Sequence, residues 1–271
     1  MKENNTWAVL LCGGYGSRMG ALTKTIPKPL IKIHNQPILW YILMTLHKHG
    51  IKNLIFPLGY KGAMLEKYIK KNFKDKDFKM HFIDTGVDST IAKRLGKISS
   101  VIPENADFLL LNSDTIFDFD INAMLRLHRS KKALITLSSV EIISAWGLIH
   151  TRKGALAAFS RERKVHYLAS KEDAELKGYI YSGIGFINKN ALKYIDLETC
   201  YDFEQDLYSK IIKMKRAAHF EIDGSWFAID TPKDIEIIHQ LIGDKSNRGV
   251  KVQAIKKKLS VASPAVKKNK K

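Results

Sequence analysis

Cysteine is nearly absent: Cys12 and Cys200 are the only two in 271 residues. Two thiols so far apart make neither a disulfide framework nor a zinc-ligand cluster, and free cysteines point to a reducing, cytoplasmic compartment. No apolar run approaches the ~20 residues needed to cross a bilayer, and no charged-then-apolar leader opens the chain, so no membrane partner is expected. Acidic residues are also short, with 27 Asp and Glu against 45 Lys and Arg, for a net charge of +18. Residues 245–271 carry ten of those Lys and Arg and no acid; +18 less 10 leaves +8 for residues 1–244. Apolar patterning there is confined to Val250–Leu259, so a disordered basic tail is expected. It lacks the interleaved aromatics on which a single-strand nucleic-acid binder stacks bases, so nucleic acid is not an expected partner.

The remaining chain, 45% hydrophobic overall, is enough for one sizeable core over residues 1–244. Strand and helix patterns alternate. Strands are expected at Trp7–Leu11, Asn53–Leu58, Lys79–Ile83, Asp107–Leu111 and Ala133–Ser138, and helices at Ile38–His49, Ala63–Asn72 and Ile121–Ser130. That alternation predicts an α/β, doubly wound, mostly parallel sheet with helices on both faces. Beyond Trp146 short strands dominate, with helices near Asn190–Ile195, Phe203–Lys213 and Pro232–Ile242. This half reads as a substrate-side extension folded onto the same sheet.

The chemistry is concentrated at Leu10-Leu11-Cys12-Gly13-Gly14-Tyr15-Gly16-Ser17-Arg18-Met19-Gly20, followed by Pro27-Lys28-Pro29. An apolar strand breaks into a glycine loop with one arginine, then a lysine between two prolines. Glycines let main-chain N–H groups turn toward an anion, and Arg18 and Lys28 add fixed positive charge, so this strand end suits a polyphosphate. Two better-known loops are excluded. The dinucleotide fingerprint fails because its third glycine is Met19 and its acidic residue is missing near His34-Asn35-Gln36; the Walker pattern fails because no Gly-Lys pair follows.

Two apolar runs end in carboxylates. Phe108–Asp114 puts Asp114 at the same sheet edge as the glycine loop, and Trp226–Pro232 contains Asp230 just before a helix. Magnesium commonly takes one or two carboxylates plus substrate phosphates. Asp118 and Asp120 precede the Ile121 helix and are assigned to structure; for Asp230 a helix cap stays open as the alternative. Cys12 is read as a packed thiol, and His34, His47, His49 and His81 as surface or packing residues.

Gly13-Gly14-x-Gly16-Ser17-Arg18-Met19 with Pro27-Lys28-Pro29-Leu30 resembles the signature of the sugar-1-phosphate nucleotidyltransferases, whose fold is Rossmann-like. Gln36–Ile42, His49-Gly50-Ile51, Gly59-Tyr60-Lys61-Gly62 and Ile83-Asp84-Thr85-Gly86 with Lys93-Arg94-Leu95 are similar to glucose-1-phosphate cytidylyltransferases. Tyr181-Ser182-Gly183-Ile184 and Phe203-Glu204-Gln205-Asp206 are closer to heptose- and mannose-1-phosphate guanylyltransferases. The resemblance spans residues 7–242. It implies an NTP (CTP or GTP) and a sugar 1-phosphate as partners, Mg²⁺ as cofactor, and a homo-oligomer as an open option. Nucleotide contacts fall on Leu11, Gly13, Gly14, Gly16, Ser17, Arg18 and Lys28. Arg18, Lys28 and Asp114 are the implied catalytic residues, Asp114 and Asp230 the metal ligands, and Lys171, Ser182 and Gly183 the sugar-phosphate contacts. Lys177 is an alternative to Lys171.

The chain departs from that pattern in places. Ser113 stands for a glycine, Ser170 for a glutamate and Glu172 for a proline. Ser89-Thr90-Ile91-Ala92-Lys93-Arg94-Leu95 lacks the glycine run of many base loops. These departures keep open a catalytically silent nucleotide-sugar binder and a nucleotidyltransferase of another phosphate. A glycosyltransferase built on Asp118-Phe119-Asp120 is a weaker reading, because that pair lies past the strand end.

Overall fold

The computed structural model describes residues 6–73, 77–143, 148–152, 155–160, 164–165 and 178–242. Its framework is a seven-stranded sheet. The strands are β1 (Trp7–Leu11), β2 (Asn53–Leu58), β3 (Lys79–Asp84), β4 (Asp107–Asn112), β6 (Ile135–Val140), β7 (Ile180–Asn188) and β8 (Ala217–Glu221). Two further strands, β5 (Thr115–Asp118) and β9 (Ser225–Ala228), pair outside it. Across the sheet the order is β8-β6-β7-β4-β1-β2-β3. The pairs β1·β2, β1·β4, β2·β3 and β8·β6 are parallel, and β7 alone runs against both its neighbours.

Both faces of the sheet are covered, as its apolar runs require. Alternate side chains of β1 divide between two cores, Ala8 and Leu10 entering one while Trp7 and Val9 enter the other. Along β4, Leu109 and Leu111 separate from Phe108 and Leu110 in the same way. The first core takes the apolar faces of α1 (Ile38–Lys48), α2 (Gly62–Asn72) and α4 (Ile121–Ser130). The second takes α3 (Ile91–Ile98) and the helical stretch 203–213. On α1 the expected stripe of Leu39, Ile42, Leu43 and Leu46 is fully buried, and the helix stops before Gly50, whose φ is +74°. The doubly wound, mostly parallel architecture is as expected.

Several boundaries shift. The strand expected at Ala133–Ser138 is β6, beginning at Ile135 because Ala133 and Leu134 close the turn after α4; the Ala133 N–H donates to the His128 carbonyl at 3.0 Å. The helix expected at Asn190–Ile195 is a tight 3-10 segment, Lys189–Tyr194. Phe203–Lys213 is helical but opens with a wide π turn over Glu204–Tyr208. In the run compared with the family's base segment, Ser89–Leu95, the helix starts at Ile91, where Thr90 Oγ1 accepts the Lys93 N–H at 3.3 Å and caps α3. Lys171, Lys177 and the basic tail lie outside the described residues.

Candidate active site

The site lies beyond the carboxyl ends of β1 and β4, where open α/β sheets place their ligands. It is a cleft of about 220 Å³ lined by the strand end, the glycine loop, the lysine segment and Ser113-Asp114. Leu11, Gly14, Gly16, Ser17, Arg18, Lys28 and Asp114, all singled out above, face it. Gly13 does not line it.

Three local devices shape the cleft. Gly16 holds a left-handed conformation (φ +64°, ψ +35°) and starts the short turn Ser17–Met19, which turns the loop back over β1. Among the described residues, the main-chain N–H groups of Gly14 to Arg18 find no acceptor in the protein, leaving donors for an anion. Pro27 precedes and Pro29 lies within a second short turn, Lys28–Leu30, closed by Leu30 N–H to Pro27 C=O at 2.9 Å; the fixed proline dihedrals on either side of Lys28 aim it inward. Ser113, the departure from the family glycine, donates its hydroxyl to the Leu11 carbonyl at 2.7 Å and ties the ends of β1 and β4 together.

Asp114 and Asp230 meet because of the β5–β9 ribbon, which the sequence did not reveal. In this antiparallel pair Ala228 lies opposite Thr115, and one step further the Ile229 N–H donates to the Asp114 carbonyl at 2.9 Å. The two aspartates therefore sit side by side at the ribbon's end. Lys28 Nζ bridges them, 2.7 Å from Asp114 Oδ2 and 2.9 Å from Asp230 Oδ1. Arg18 Nη1 pairs with Asp230 Oδ2 at 3.1 Å while its side chain stays 71% exposed. Lys28 is buried.

The helix-cap alternative for Asp230 does not hold. Asp234 Oδ2 takes the N–H groups of Asp230 (2.9 Å) and Thr231 (2.7 Å) at the start of α5 (Pro232–Ile242), leaving the Asp230 carboxylate for the cations. Asp120 caps α4 through the Ala123 N–H at 2.9 Å, and Asp118 is a buried partner of Lys48 at 2.9 Å, so both are structural. Two carboxylates within reach of one nitrogen, with hard oxygen donors and open cleft beside them, fit a divalent cation that completes its shell with phosphate and water.

On the sugar side, Ser182 and Gly183 fall in an irregularity of the β7–β6 register between Tyr181 and Gly185. The Ser182 hydroxyl turns inward to Ser138 Oγ at 2.6 Å and is buried, so it is not presented to the cleft. Gly183, at φ +74°, sits where a Cβ would come within 2.5 Å of Asn112 Nδ2 at the end of β4. Burial raises the pKa of the Tyr181 hydroxyl, which lies 3.2 Å from that of Tyr208. Cys12 is packed with its thiol pushed up to about 12 by burial, as a structural thiol should be.

Two arrangements near the site carried no assignment in the sequence reading. Tyr15 OH donates to Asp88 Oδ1 at 2.9 Å across the mouth of the glycine loop, and its ring rests on Tyr60 at 5.0 Å. Arg94 reaches beneath the loop to the Gly13 carbonyl at 3.1 Å. A second cavity, about 330 Å³, lies at the opposite end of the sheet. Its polar groups largely serve each other: Asp107 accepts from His128, Arg129 and Asn188, and Arg216 donates twice to the Lys132 carbonyl.

A sequence profile of the family described as Nucleotidyl transferase matches residues 7–258. The chain is 27% identical over 247 residues to the glucose-1-phosphate cytidylyltransferase of Salmonella typhimurium, covering 84% of this chain and 92% of that protein. It is 29% identical over 232 residues to the mannose-1-phosphate guanylyltransferase catalytic subunit beta of Xenopus tropicalis; this match covers 84% of the chain but 62% of that protein's length. In fold it is similar to the crystal structure of HddC from Yersinia pseudotuberculosis, with a TM-score of 0.63 at 20% identity, over 87% of this chain and 98% of that one. Among the described residues no helix is long and apolar enough to cross a membrane.

Proposed function

The chain belongs to the nucleotidyl transferase family, among its sugar-1-phosphate nucleotidyltransferases, and from that premise we propose that it transfers the nucleotidyl group of CTP or GTP to a sugar 1-phosphate. A phosphate oxygen of the sugar attacks the nucleotide α-phosphorus, the bond from that phosphorus to the bridging oxygen breaks, and pyrophosphate leaves with the electron pair. The nucleophile is already ionised near neutral pH, so the reaction needs no general base. What it needs is positioning and charge stabilisation.

The observation that carries this reading is Lys28 held between Asp114 and Asp230 beside a cleft rimmed by N–H groups that find no acceptor among the described residues. Lys28 offsets charge that develops around the α-phosphate. Arg18, exposed at the mouth, would hold the departing pyrophosphate. The loop donors from Gly14 to Arg18 hold the nucleotide phosphates. Asp114 and Asp230 would hold Mg²⁺, which supplies phosphate neutralisation and alignment when bound. Gly183 lets the Asn112 side chain pack against this wall, and Ser182 supports it from behind through Ser138. Lys171 remains the proposed contact to the sugar phosphate on resemblance alone.

The test is pyrophosphate release from the full chain with Mg²⁺, each of CTP, GTP, UTP, dTTP and ATP, and a pooled set of sugar 1-phosphates. Release with CTP or GTP supports the proposal and names the base. Binding of nucleotide without release for any pairing would favour the silent-binder reading.

A further inference from the structure

A charged side chain without a role in this scheme lies directly under the glycine loop. Arg94, on α3, is 5% exposed, and no carboxylate among the described residues forms an ion pair with it. Its contacts are to neutral oxygens. Nη1 donates to the Leu58 carbonyl at 3.2 Å and to Thr85 Oγ1 at 2.6 Å; Nη2 donates to the carbonyls of Gly13 at 3.1 Å and Val87 at 2.9 Å. Each Nη nitrogen carries two hydrogens, so both are saturated. Burial lowers the Arg94 pKa, the direction expected of a cation removed from water.

The four acceptors come from three segments, each at the carboxyl end of a parallel strand: β1, β2 and β3. Other bonds reinforce the seam. The Tyr60 N–H donates to the Gly13 carbonyl at 3.0 Å, the Thr85 N–H to the Leu58 carbonyl at 2.9 Å, and Lys97 Nζ to the Thr85 carbonyl at 2.8 Å. Two glycines make room for it. A Cβ at Gly13 would collide with the guanidinium, and one at Gly59 would lie 2.5 Å from the Gly13 carbonyl and 2.8 Å from Arg94 Nη1. The glycine at position 13, part of the motif read as a phosphate loop, thus answers to an arginine beneath the loop.

We infer that Arg94 is a positioning residue for the nucleotide: it pins the Gly13 carbonyl inward, turning the next N–H groups to the cleft, and locks the phosphate-facing loop to the Thr85–Ser89 loop. The inference rests on the nucleotidyl transfer reading. Arg94 acts through the main chain, since its Nη donors are consumed by neutral oxygens while the nearest acids, Asp84 and Asp88, act on it only through space. A general core staple would weaken every function of the fold together. A positioning residue on the nucleotide side weakens nucleotide use selectively.

The experiment uses the full chain with Arg94→Ala, Gly13→Ala and the double variant. KM is measured separately for the NTP and the sugar 1-phosphate, with NTP binding measured directly in the absence of sugar phosphate. Arg94→Ala is expected to raise the NTP KM and weaken NTP binding by about 10–100-fold, with the sugar-phosphate KM within about threefold. Guanidinium ion at millimolar concentration restores part of the loss. Gly13→Ala is damaging alone but adds little in the Arg94→Ala background, where the space has opened. Equal rises in both KM values, an unchanged NTP term, or full additivity of the two substitutions would overturn the inference. If Arg94→Ala fails to fold, Thr85→Val removes the shortest Arg94 bond and is read the same way. If the wild type binds NTP but releases no pyrophosphate, the transfer reading fails while the binding comparison still decides this one; a wild type that binds no NTP overturns both.

Discussion

Lys28 is the residue where charge and geometry meet. An exposed lysine gains little from a neighbouring carboxylate, because water screens the pair. Lys28 is buried and touches two carboxylates, which are themselves only partly exposed. Removing its ammonium leaves two acids facing each other beside the cleft and removes the cation nearest the proposed reacting phosphate. Lys28→Ala is expected to lower kcat by at least two orders of magnitude, in the range reported for lost transition-state charge stabilisation, with the thermal transition retained. Pyrophosphate release near the wild-type rate would show that Lys28 is structural. Asp230→Asn removes a carboxylate charge but keeps the side chain's shape. Its expected signature is a raised Mg²⁺ requirement, read by titrating the metal at fixed substrate. An unchanged Mg²⁺ half-saturation would take Asp230 out of the metal site.

At the scale of elements, the sequence exposed the sheet but not the ribbon. Trp7–Leu11, Asn53–Leu58 and Ile121–Ser130 were legible to the residue because long apolar runs and strong helical periodicity dominate any local competition. Both β5 and β9 are four residues long and lie more than a hundred residues apart, and no local pattern announces such a pairing. The motif residues Asp114 and Asp230 were visible, but the reason they meet was not. The same holds for α3: Ala92, Leu95 and Ile98 share a buried face, yet the resemblance drew attention to the missing glycines before the helix and not to the helix itself. Ser182 was legible as a motif position and not as a buried hydroxyl, because its partner Ser138 is 44 residues away. Where the ribbon meets α5, Asp234 holds the N–H groups of residues 230 and 231. Asp234→Ala is expected to cost about 1 kcal/mol, as lost helix caps do. It should also reduce turnover by loosening Asp230, an effect chemical denaturation and kinetics would separate. A variant with lost stability and unaltered turnover would show that the cap does not position the carboxylate.

The molecule as a whole separates its chemistry from its fastening. The cleft occupies the carboxyl ends of β1 and β4, and the other end of the sheet is bolted by Asp107 at the start of β4. Asp107 accepts from His128 (3.2 Å) and Arg129 (3.3 Å) on α4 and from Asn188 (2.8 Å) on β7, while His128 also meets Thr136 on β6 at 2.8 Å. Burial would raise the Asp107 pKa, but these hydrogen bonds and the charges beside them outweigh it and bring it down to about 2 from 3.8. A carboxylate whose folded pKa lies below its unfolded value adds stability above the unfolded value and loses it as pH falls through the folded one. By that linkage Asp107 contributes roughly 2 kcal/mol at neutral pH, about half of which remains at pH 3. Asp107→Asn should therefore be less stable than the wild type by about that amount at pH 7, with a gap that narrows through pH 4 and 3. Because this cluster is at the far end of the sheet, the KM values for both substrates should not move. Urea unfolding at each pH, with kinetics at pH 7, tests both halves. A gap independent of pH would mean the loss comes from shape and not charge, and a shifted KM would mean the two ends of the sheet are coupled.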